Sequence, residues 1–350
     1  MDRPREGAMS VSRRTFMRLA AAGLQSALLP LAACSKQVGQ QRQALAFPSP
    51  DEPLTKPGDW YFMAVVGAYE SDLESYRLKV GGVCGRALSL SNAAMRSELP
   101  ASLELITLSC VGNRPGGGLL SSALFRGIRL IDLMEAAEVG KEATGAIITG
   151  LDGFVAFQSM EDLRRPESMV AYDMGISEDT LVPLPIEHGF PARVLTPGLY
   201  GYMQPKWIDS ITFVDQGGHH EVLQRSVNYM EGKMQLSSGI SRPRRGHVGV
   251  GVNEVIGYAF GDGRPITEVH VRVDDGPWEP AEIVFNTLEQ DTLPSYLWVL
   301  WRYMWDAAPG RHKLTTLATY QDGETQEGGR EFPYSGGSLA SVELEVTELL

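Results

Sequence analysis

The chain has 350 residues, of which 43% are hydrophobic and 21% are charged. This composition is typical of a globular protein with two domains or one large domain, and it excludes wholesale disorder. The formal net charge of −12 argues against nucleic-acid binding, because an acidic surface repels phosphate. Three cysteines are too few for a disulfide scaffold.

Residues 1–33 have the organisation of an export signal. Arg13 and Arg14 form a twin-arginine signature, a weakly apolar stretch runs over 19–33, and Cys34 follows at a lipobox-like sequence. The apolar stretch is shorter than the roughly 20 residues that a membrane-spanning helix needs. We therefore expect export by the twin-arginine route and lipidation of Cys34, with the protein anchored by lipid in the periplasm or at the cell surface. The alternative is an amphipathic or buried helix that ends in a cysteine.

A tether and a first domain are predicted next. Residues 34–58 are rich in Gln, Pro and Ser and predict a flexible tether, which leads into a domain over 59–236. Alternating apolar residues over 76–80 predict a strand, and the apolar run 103–109 predicts a buried strand that delivers Cys110 to a glycine-rich loop. Two further short strands are predicted, over 146–149 and 169–172.

A helix is predicted to follow the glycine-rich loop. Ser121 or Ser122 would cap its N-terminus. Its apolar face would be formed by Leu124, Ile128, Ile131 and Met134.

The pattern becomes all-β near the C-terminus. Residues 237–246 are rich in Ser, Arg, Pro and Gly and predict a linker. Within 247–350, apolar residues alternate with polar residues over 269–273 and again over 342–346, and Asp275-Gly276 supplies a turn signal. We therefore predict a β-sandwich domain. Its core is predicted to include Trp298, Trp301 and Trp305.

Two clusters carry the chemistry. Cys110 is followed by Arg114 and three glycines; a free cysteine is usually a small buried hydrophobe, but a cationic neighbour favours the thiolate, which attacks or binds metal. His188, Arg193 and Lys206 lie close together in an otherwise acidic chain. They predict either a solvated loop or an anion pocket, because Arg clamps phosphate through two hydrogen bonds and Lys acts as a point charge. Together the clusters favour a phosphate-bearing cofactor attached to a metal.

Several spaced motifs occur in an order that one known family shares. In chain order they are Thr107–Arg114, Gly127–Leu133, Ala171–Met174, His188–Arg193, and Gly201 with Lys206-Trp207. Through these motifs the chain, from about Trp60 to Tyr334, resembles the sulfite oxidase family of molybdenum enzymes, which bind molybdenum through a pterin dithiolene.

The resemblance implies a fold, a cofactor and site residues. The implied fold is an α+β molybdopterin-binding domain of sulfite oxidase type, followed by an all-β immunoglobulin-like sandwich of the family's dimerisation type. The implied cofactor is molybdenum–molybdopterin, with Cys110 as the protein ligand to the metal. The residues implied to bind the pterin and its phosphate are Asn113, Asp132, His188, Arg193, Gly201 and Lys206. Arg114 and Tyr229 are implied as further catalytic residues, with a surface or interface aromatic as the alternative for Tyr229.

The implied reaction is oxygen-atom transfer at molybdenum on a small-molecule substrate. Two consecutive arginines follow the family's Cys-x-Gly-Asn motif, whereas here Pro115 follows Arg114, and residues 60–66 lack the cations of the family's first strand. The substrate is therefore open between sulfite, another small oxyanion or sulfur compound, and a sulfoxide that the enzyme would reduce. A non-catalytic lipoprotein that binds the cofactor or a partner is the alternative from another class. A hydrolase with Cys110 as nucleophile is a third hypothesis.

The electron partner is expected to be a separate protein. The sequence has no Cys-x-x-Cys-His motif, so we expect neither haem nor flavin in this chain. Electrons would then pass to or from a c-type cytochrome or a quinol-linked membrane protein. The resemblance also implies a homodimer formed through the second domain.

Overall fold

The described part of the chain is mostly β-strand with a few short helices, and so is more strongly β than the α+β expectation. The structure is a computed structural model and describes residues 47–64, 68–215, 232–285, 297–328 and 337–348. Its α-helices are α1 (Asn92–Ser97), α2 (Leu130–Ala136) and α3 (Met160–Leu163). Within the described ranges, no helix is both long enough and apolar enough to cross a membrane.

The described residues form strands β1 to β19, arranged in four sheets. In the first half of the chain they are β1 (Leu78–Gly82), β2 (Leu88–Leu90), β3 (Ala101–Ser109), β4 (Leu120–Arg129), β5 (Gly145–Gly150), β6 (Val155–Ser159), β7 (Met169–Gly175), β8 (Val182–Pro183), β9 (Arg193–Leu195) and β10 (Ile208–Val214). In the second half they are β11 (Ser237–Arg242), β12 (His247–Gly249), β13 (Gly251–Phe260), β14 (Ile266–Val273), β15 (Trp278–Pro280), β16 (Glu282–Phe285), β17 (Val299–Ala307), β18 (Gly310–Tyr320) and β19 (Ala340–Thr347).

Two sheets build the first half of the molecule. One has the order β2-β1-β10-β5-β6, with β1 and β10 parallel; the other has the order β3-β4-β7-β8, with β9 also paired to β7. A shared core joins them, because Leu78 and Ile211 of the first sheet cluster with Ile128 and Tyr172 of the second. The predicted strands at 76–80, 103–109, 146–149 and 169–172 correspond to β1, β3, β5 and β7 and are confirmed.

The helix predicted after the glycine-rich loop is wrong over most of its length. Residues 120–129 form strand β4, which pairs with β3 on one side and β7 on the other. The strand is buried on both faces, and a strand of that kind shows no two-residue alternation in its sequence. Ser121 therefore lies within the sheet, where its hydroxyl accepts a hydrogen bond from the Tyr61 N–H at 3.1 Å. The helix α2 begins only at Leu130.

Two more sheets build the second half. They have the orders β11-β13-β17-β16 and β12-β19-β18-β14-β15, and they pack around one core to which Val255 and Trp301 of the first contribute together with Val269 and Leu344 of the second. The strands predicted over 269–273 and 342–346 are confirmed as parts of β14 and β19, and the Asp275-Gly276 turn lies between β14 and β15.

The residues predicted as a linker, 237–246, are structured differently. Ser237–Arg242 form β11, which pairs with β13 from the register Ser237↔Phe260. Small residues allow this close pairing, since a Cβ on Gly239 would lie 2.7 Å from the Tyr258 ring. The domain boundaries at 59–236 and 247–350 remain predictions.

The two halves meet beside the loop that follows β3. Val111, Leu120 and Tyr200 share a hydrophobic cluster with Tyr258 and Trp298. The Trp298 N–H donates to the Thr107 hydroxyl at 3.0 Å, and its indole N–H donates to the Pro53 carbonyl at 2.7 Å. Trp298 therefore packs between the halves, while Trp301 and Trp305 occupy the core of the second half as predicted.

Candidate active site

Strand β3 delivers Cys110 to the start of a tight loop, residues 110–119, which we call the Cys110 loop. The Cys110 N–H donates to the Leu119 carbonyl at 3.0 Å, so the two ends of the loop are joined. The Cys110 side chain packs at the edge of a core cluster that includes Trp60, Tyr61 and Leu108. The buried strand predicted to position this cysteine therefore does so.

Asn113 closes the Cys110 loop from within. Its side-chain oxygen accepts the Leu119 N–H at 3.0 Å, its own N–H donates to the Cys110 carbonyl at 2.9 Å, and its amide nitrogen lies 3.4 Å from the Gly117 carbonyl. A Cβ on Gly117 would lie 2.4 Å from the Asn113 side-chain oxygen, so glycine is required there. The structure thus gives Asn113, which was predicted to bind the cofactor, a role in shaping the loop. Arg114, predicted as catalytic, is exposed.

Burial, rather than a cation, dominates the environment of the thiol. Burial raises the pKa of Cys110, and a hydrogen bond from the Gly112 backbone only partly opposes it. The prediction that Arg114 would favour the thiolate is therefore wrong for the protein without a bound group. Burial, and after it the proximity of Cys110, also raise the pKa of the Tyr61 hydroxyl. A soft metal cation near the thiol would reverse this balance, because coordination deprotonates a thiol.

Arg193, on strand β9, is a buried cation beside the loop. Its Nη1 donates to the His188 carbonyl at 3.1 Å and its Nη2 to the Gln204 carbonyl at 3.4 Å. Its Nε is buried and has no hydrogen-bond partner among the described residues. Burial lowers the pKa of Arg193 to about 10, with the Tyr61 hydroxyl opposing the shift. Burying a guanidinium with an unpaired donor costs free energy unless an anion binds to that donor.

Lys206 is the second cation of this group. Its ammonium group donates to the carbonyls of Met63 at 3.0 Å and Glu187 at 2.9 Å, and it lies over the rings of Phe62 and Trp207 at 4.5 and 4.2 Å. Burial, and next the Arg193 guanidinium, lower the pKa of Lys206 to about 7. The Asp152 and Glu187 carboxylates oppose this shift, and the contacts of the ammonium group itself are to carbonyls and aromatic rings.

His188 lies in a short 3-10 turn, Ile186–His188, and is buried. Its Nε2 is 3.1 Å from the Pro57 carbonyl, and its ring is tilted against Trp60 with centroids 6.2 Å apart. Gly189 follows in a left-handed conformation with φ of 115°, which turns the chain back toward β9. The turn therefore brings His188 and Arg193 to the same side of the molecule.

These residues line one cleft with a cavity volume of about 130 Å³. Its aromatic wall consists of Trp60, Tyr61, Phe154, Tyr202 and Trp207. Its chemically active side chains are Cys110, Asp152, His188, Arg193, Gln204 and Lys206. The remaining lining residues are Met63, Ala64, Leu108, Gly201 and Pro205.

The cleft brings together some of the predicted site residues and not others. Cys110, His188, Arg193, Gly201 and Lys206 all line it. Asp132 is not one of the cleft-lining residues. It lies in the first turn of α2, where its carboxylate accepts two hydrogen bonds from Arg129, at 2.8 and 2.9 Å. Tyr229 and Cys34 lie outside the described residues.

Several cleft residues were not predicted. Trp60 and Tyr61 precede the first strand and are held by residues distant in sequence, as in the hydrogen bond from the Tyr61 N–H to Ser121, 60 positions away. The sequence carries no local signal for such contacts. Asp152 had a weak signal, since it precedes a glycine in the turn between β5 and β6. Burial raises the pKa of Asp152, while Lys206 acts in the opposite direction.

A buried polar network supports the floor of the cleft. The Gln158 amide on β6 donates to the Met203 carbonyl and accepts from the Thr196 hydroxyl, at 2.5 and 2.7 Å. The Gln204 side chain accepts the Thr196 N–H at 2.9 Å and donates to the Leu199 carbonyl. Because all these groups are paired, the turn that contains Gly201 is held in one geometry.

The donor set fits a molybdenum–molybdopterin group. A thiolate is a ligand that suits a soft, sulfur-coordinated metal. The unpaired Arg193 Nε and the Lys206 ammonium group are suited to a phosphate-bearing anion. Among the described residues there is no group of three or more His, Cys, Asp or Glu side chains arranged to hold a metal ion.

Comparison with known proteins shows which family the chain resembles. The family described as "Oxidoreductase molybdopterin binding domain" matches residues 65–221. Sulfite oxidase from Gallus gallus is 30% identical over 271 residues, covering 65% of this chain and 58% of that protein, and nitrate reductase [NADPH] from Mycosarcoma maydis is 23% identical, covering 65% and 32%. The chain therefore spans about a third to three-fifths of these curated relatives.

A solved structure agrees in fold. The crystal structure of the sulfane dehydrogenase SoxCD from Paracoccus pantotrophus superimposes with a TM-score of 0.71 at 20% identity, covering 85% of this chain and 84% of that one. The fold is thus that of a molybdopterin oxidoreductase. Residues 65–221 thus match the molybdopterin-binding domain of oxidoreductases, and the chain is similar in sequence to sulfite oxidases. These matches confirm the predicted resemblance to the sulfite oxidase family.

Proposed function

We propose that this protein is an exported oxidoreductase that binds molybdenum–molybdopterin and transfers an oxygen atom to or from a small sulfur compound or oxyanion. The observation that carries the proposal is the convergence, in one cleft, of the Cys110 thiol with the buried Arg193 and the partly buried Lys206, two cations that have no carboxylate partner in the described hydrogen bonds.

Each residue has a defined task in this proposal. Cys110 would bind the metal, and His188, Arg193 and Lys206 would hold the pterin and its phosphate. The bound group supplies the oxygen-atom transfer, as cofactors do in enzymes of this kind. The protein orients the group by the fixed turn at Gly201 and excludes water by the aromatic wall around Trp60.

Reduction of a sulfoxide is the second candidate. Sulfite is a dianion and needs several charge-assisted donors. Arg114 is exposed and is not one of the cleft-lining residues, while Asp152 adds a carboxyl group to the wall. Tyr202 and Phe154 give the described wall an aromatic surface that suits a less charged substrate.

The cellular setting and partners are also proposed. The twin arginines at 13 and 14 and the lipobox before Cys34 support export and a lipid anchor outside the cytoplasm. An external carrier, either a c-type cytochrome or a quinol-linked membrane protein, would exchange the electrons. The two packed sheets formed by β11 to β19 support an immunoglobulin-like sandwich through which two copies would associate.

A steady-state comparison tests the proposed reaction. The cofactor-loaded protein is assayed for sulfite oxidation with an artificial electron acceptor and for sulfoxide reduction with a reduced dye, in parallel with Cys110→Ser. Turnover of either substrate that Cys110→Ser abolishes supports oxygen-atom transfer and identifies its direction. A loaded protein that shows no redox cycling with any substrate would instead favour the non-catalytic lipoprotein.

A further inference from the structure

The second half of the molecule holds the Cys110 loop through an arginine. Arg244 follows β11 and donates from Nη2 to the Gly116 carbonyl at 2.6 Å and from Nη1 to the Ile240 carbonyl at 2.7 Å. The Phe47 ring lies 3.5 Å from the guanidinium carbon, in cation–π geometry. A planar guanidinium fixed on one face by a ring and at two nitrogens by carbonyls has little freedom to move.

A tyrosine makes a second contact with the neighbouring residue of the loop. Tyr258 of β13 is buried, and its hydroxyl lies 3.3 Å from the Gly117 carbonyl. Its ring stacks with Phe47 at a centroid distance of 6.4 Å. Phe47, Arg244 and Tyr258 therefore pack together. Through this unit, Arg244 and Tyr258 bind the consecutive carbonyls of Gly116 and Gly117.

Those carbonyls are connected to Cys110 by a short chain of hydrogen bonds. Gly117 contacts Asn113, and Asn113 binds both the Cys110 carbonyl and the Leu119 N–H, which lies opposite Cys110. Gly116 has a left-handed φ of 64°, which glycine adopts without steric strain and which turns the loop at the residue that Arg244 binds. The hydrogen bonds to the Gly116 and Gly117 carbonyls can thus determine the backbone conformation at Cys110.

We propose that Arg244 is a positioning residue that fixes the Cys110 loop and so sets the presentation of the Cys110 thiol to the metal. The metal part of this inference rests on the proposed function, whereas the loop part does not. It places control of the predicted metal ligand in the half of the chain outside the matched family region, 65–221.

The test measures the alkylation rate of Cys110 in cofactor-free, full-length protein. Iodoacetamide is the probe, and mass spectrometry of peptides separates Cys110 from Cys84. Arg244→Met keeps the length of the side chain but removes the donors, and we expect Cys110 to react about fivefold faster or more because the loop opens more often. Arg244→Lys should restore part of the protection. Tyr258→Phe, which removes only the hydroxyl, should give a smaller increase.

Arg242→Met is the matched control. Arg242 lies on the same segment, is exposed, and forms an ion pair with Glu254 at 3.7 Å. In Arg242→Met the alkylation rate of Cys110 should stay within about twofold of the rate in the unsubstituted protein. An unchanged Cys110 rate in folded Arg244→Met would overturn the proposal, as would equal increases at Cys110 and Cys84, which indicate general loosening.

A second readout uses protein loaded with molybdenum. At matched metal content, Arg244→Met should change the electron paramagnetic resonance g values of the Mo(V) state, and Arg242→Met should not. Identical spectra for Arg244→Met would contradict a role in presenting the thiol. If the unsubstituted protein binds no molybdenum, the proposed function fails, while the alkylation rates still decide whether Arg244 fixes the loop.

Discussion

The Arg193 guanidinium donates from Nη1 to the backbone carbonyl of His188 at 3.1 Å, so the fold itself ties together two of the residues implied to hold an anionic cofactor. The bond spans only five residues, and it orients Arg193 so that Nη1 and Nη2 are used by backbone carbonyls while Nε is left without a described partner. The cation is thus positioned before a cofactor binds, and the Arg193 Nε remains available as a hydrogen-bond donor to the cofactor.

Arg193→Met should separate cofactor binding from stability. Removal of a buried charge with an unpaired donor stabilises the cofactor-free protein, whereas loss of the hydrogen bonds to the His188 and Gln204 carbonyls destabilises it, so the free energy of unfolding should change by less than about 2 kcal/mol in either direction. Pterin content after purification should fall about tenfold or more. Chemical denaturation and pterin fluorescence measure the two effects.

The exposed Arg164 supplies the control for that experiment. Arg164→Met should change neither stability nor pterin content. Full pterin content in Arg193→Met would show that the guanidinium does not hold the cofactor.

Cys110→Ser should abolish turnover and deplete bound molybdenum, because a hydroxyl is a poor ligand for a soft metal site. Metal analysis and steady-state assays on the same samples measure the effect. Cys84→Ser is the matched control, since Cys84 packs at the edge of the core of the first half and does not line the cleft. Turnover by Cys110→Ser at the rate of the unsubstituted protein would contradict the assigned ligand.

The stability of the cofactor-free protein should depend on pH through Lys206. Burial lowers the pKa of this ammonium group to about 7, whereas the unfolded chain has a value near 10.4. Between these values the unfolded state binds more protons than the folded state, so the free energy of unfolding rises with pH, at up to about 1.4 kcal/mol per pH unit from this group. Below pH 7 the buried charge is present and stability is lowest.

Lys206→Met should remove that pH dependence. Denaturation curves at pH 7, 8 and 9 compare the variant with the unsubstituted protein and with Lys79→Met, in which an exposed lysine paired with Asp209 is replaced. Binding of an anionic cofactor should also weaken as pH rises above 7, because Lys206 must be protonated to hold it. Equal slopes for Lys206→Met and the unsubstituted protein would show that the ammonium group is not buried in the way described.

Gln158→Leu should destabilise the fold by about 2–4 kcal/mol. The substitution leaves the Met203 carbonyl and the Thr196 hydroxyl without their partner in a fully buried site. Urea denaturation measures the change. Gln321→Leu, at an exposed position, should alter stability by less than about 0.5 kcal/mol. A loss below 1 kcal/mol for Gln158→Leu would mean that water replaces the amide.

Strands with one polar face were readable from the sequence, and strands buried on both faces were not. Leu78 and Val80 alternate with Lys79, whose side chain is exposed, and β1 was predicted correctly. In β4 the residues 124 and 128 are spaced as on a helix, but they pair with β3 and β7. Tertiary pairing overrode a local pattern that fits a helix equally well.

The sequence predicted the cationic residues of the cleft but not its aromatic residues. His188, Arg193 and Lys206 could be found because cations clustered in an acidic sequence are conspicuous. Tyr61 comes close to Cys110 only in the folded chain, so no spacing in the sequence predicts their proximity. The electrostatic setting of Cys110 was predicted wrongly because sequence proximity to Arg114 says nothing about which way that side chain faces.

The most direct test of the central claim is the molybdenum and pterin content per chain. The full-length protein, with its own N-terminal segment, is purified from a host that makes the cofactor, and metal analysis is combined with pterin fluorescence. We predict about one molybdenum and about one pterin per chain. A folded sample from such a host that contains neither would contradict the assignment of the cleft as a molybdopterin site.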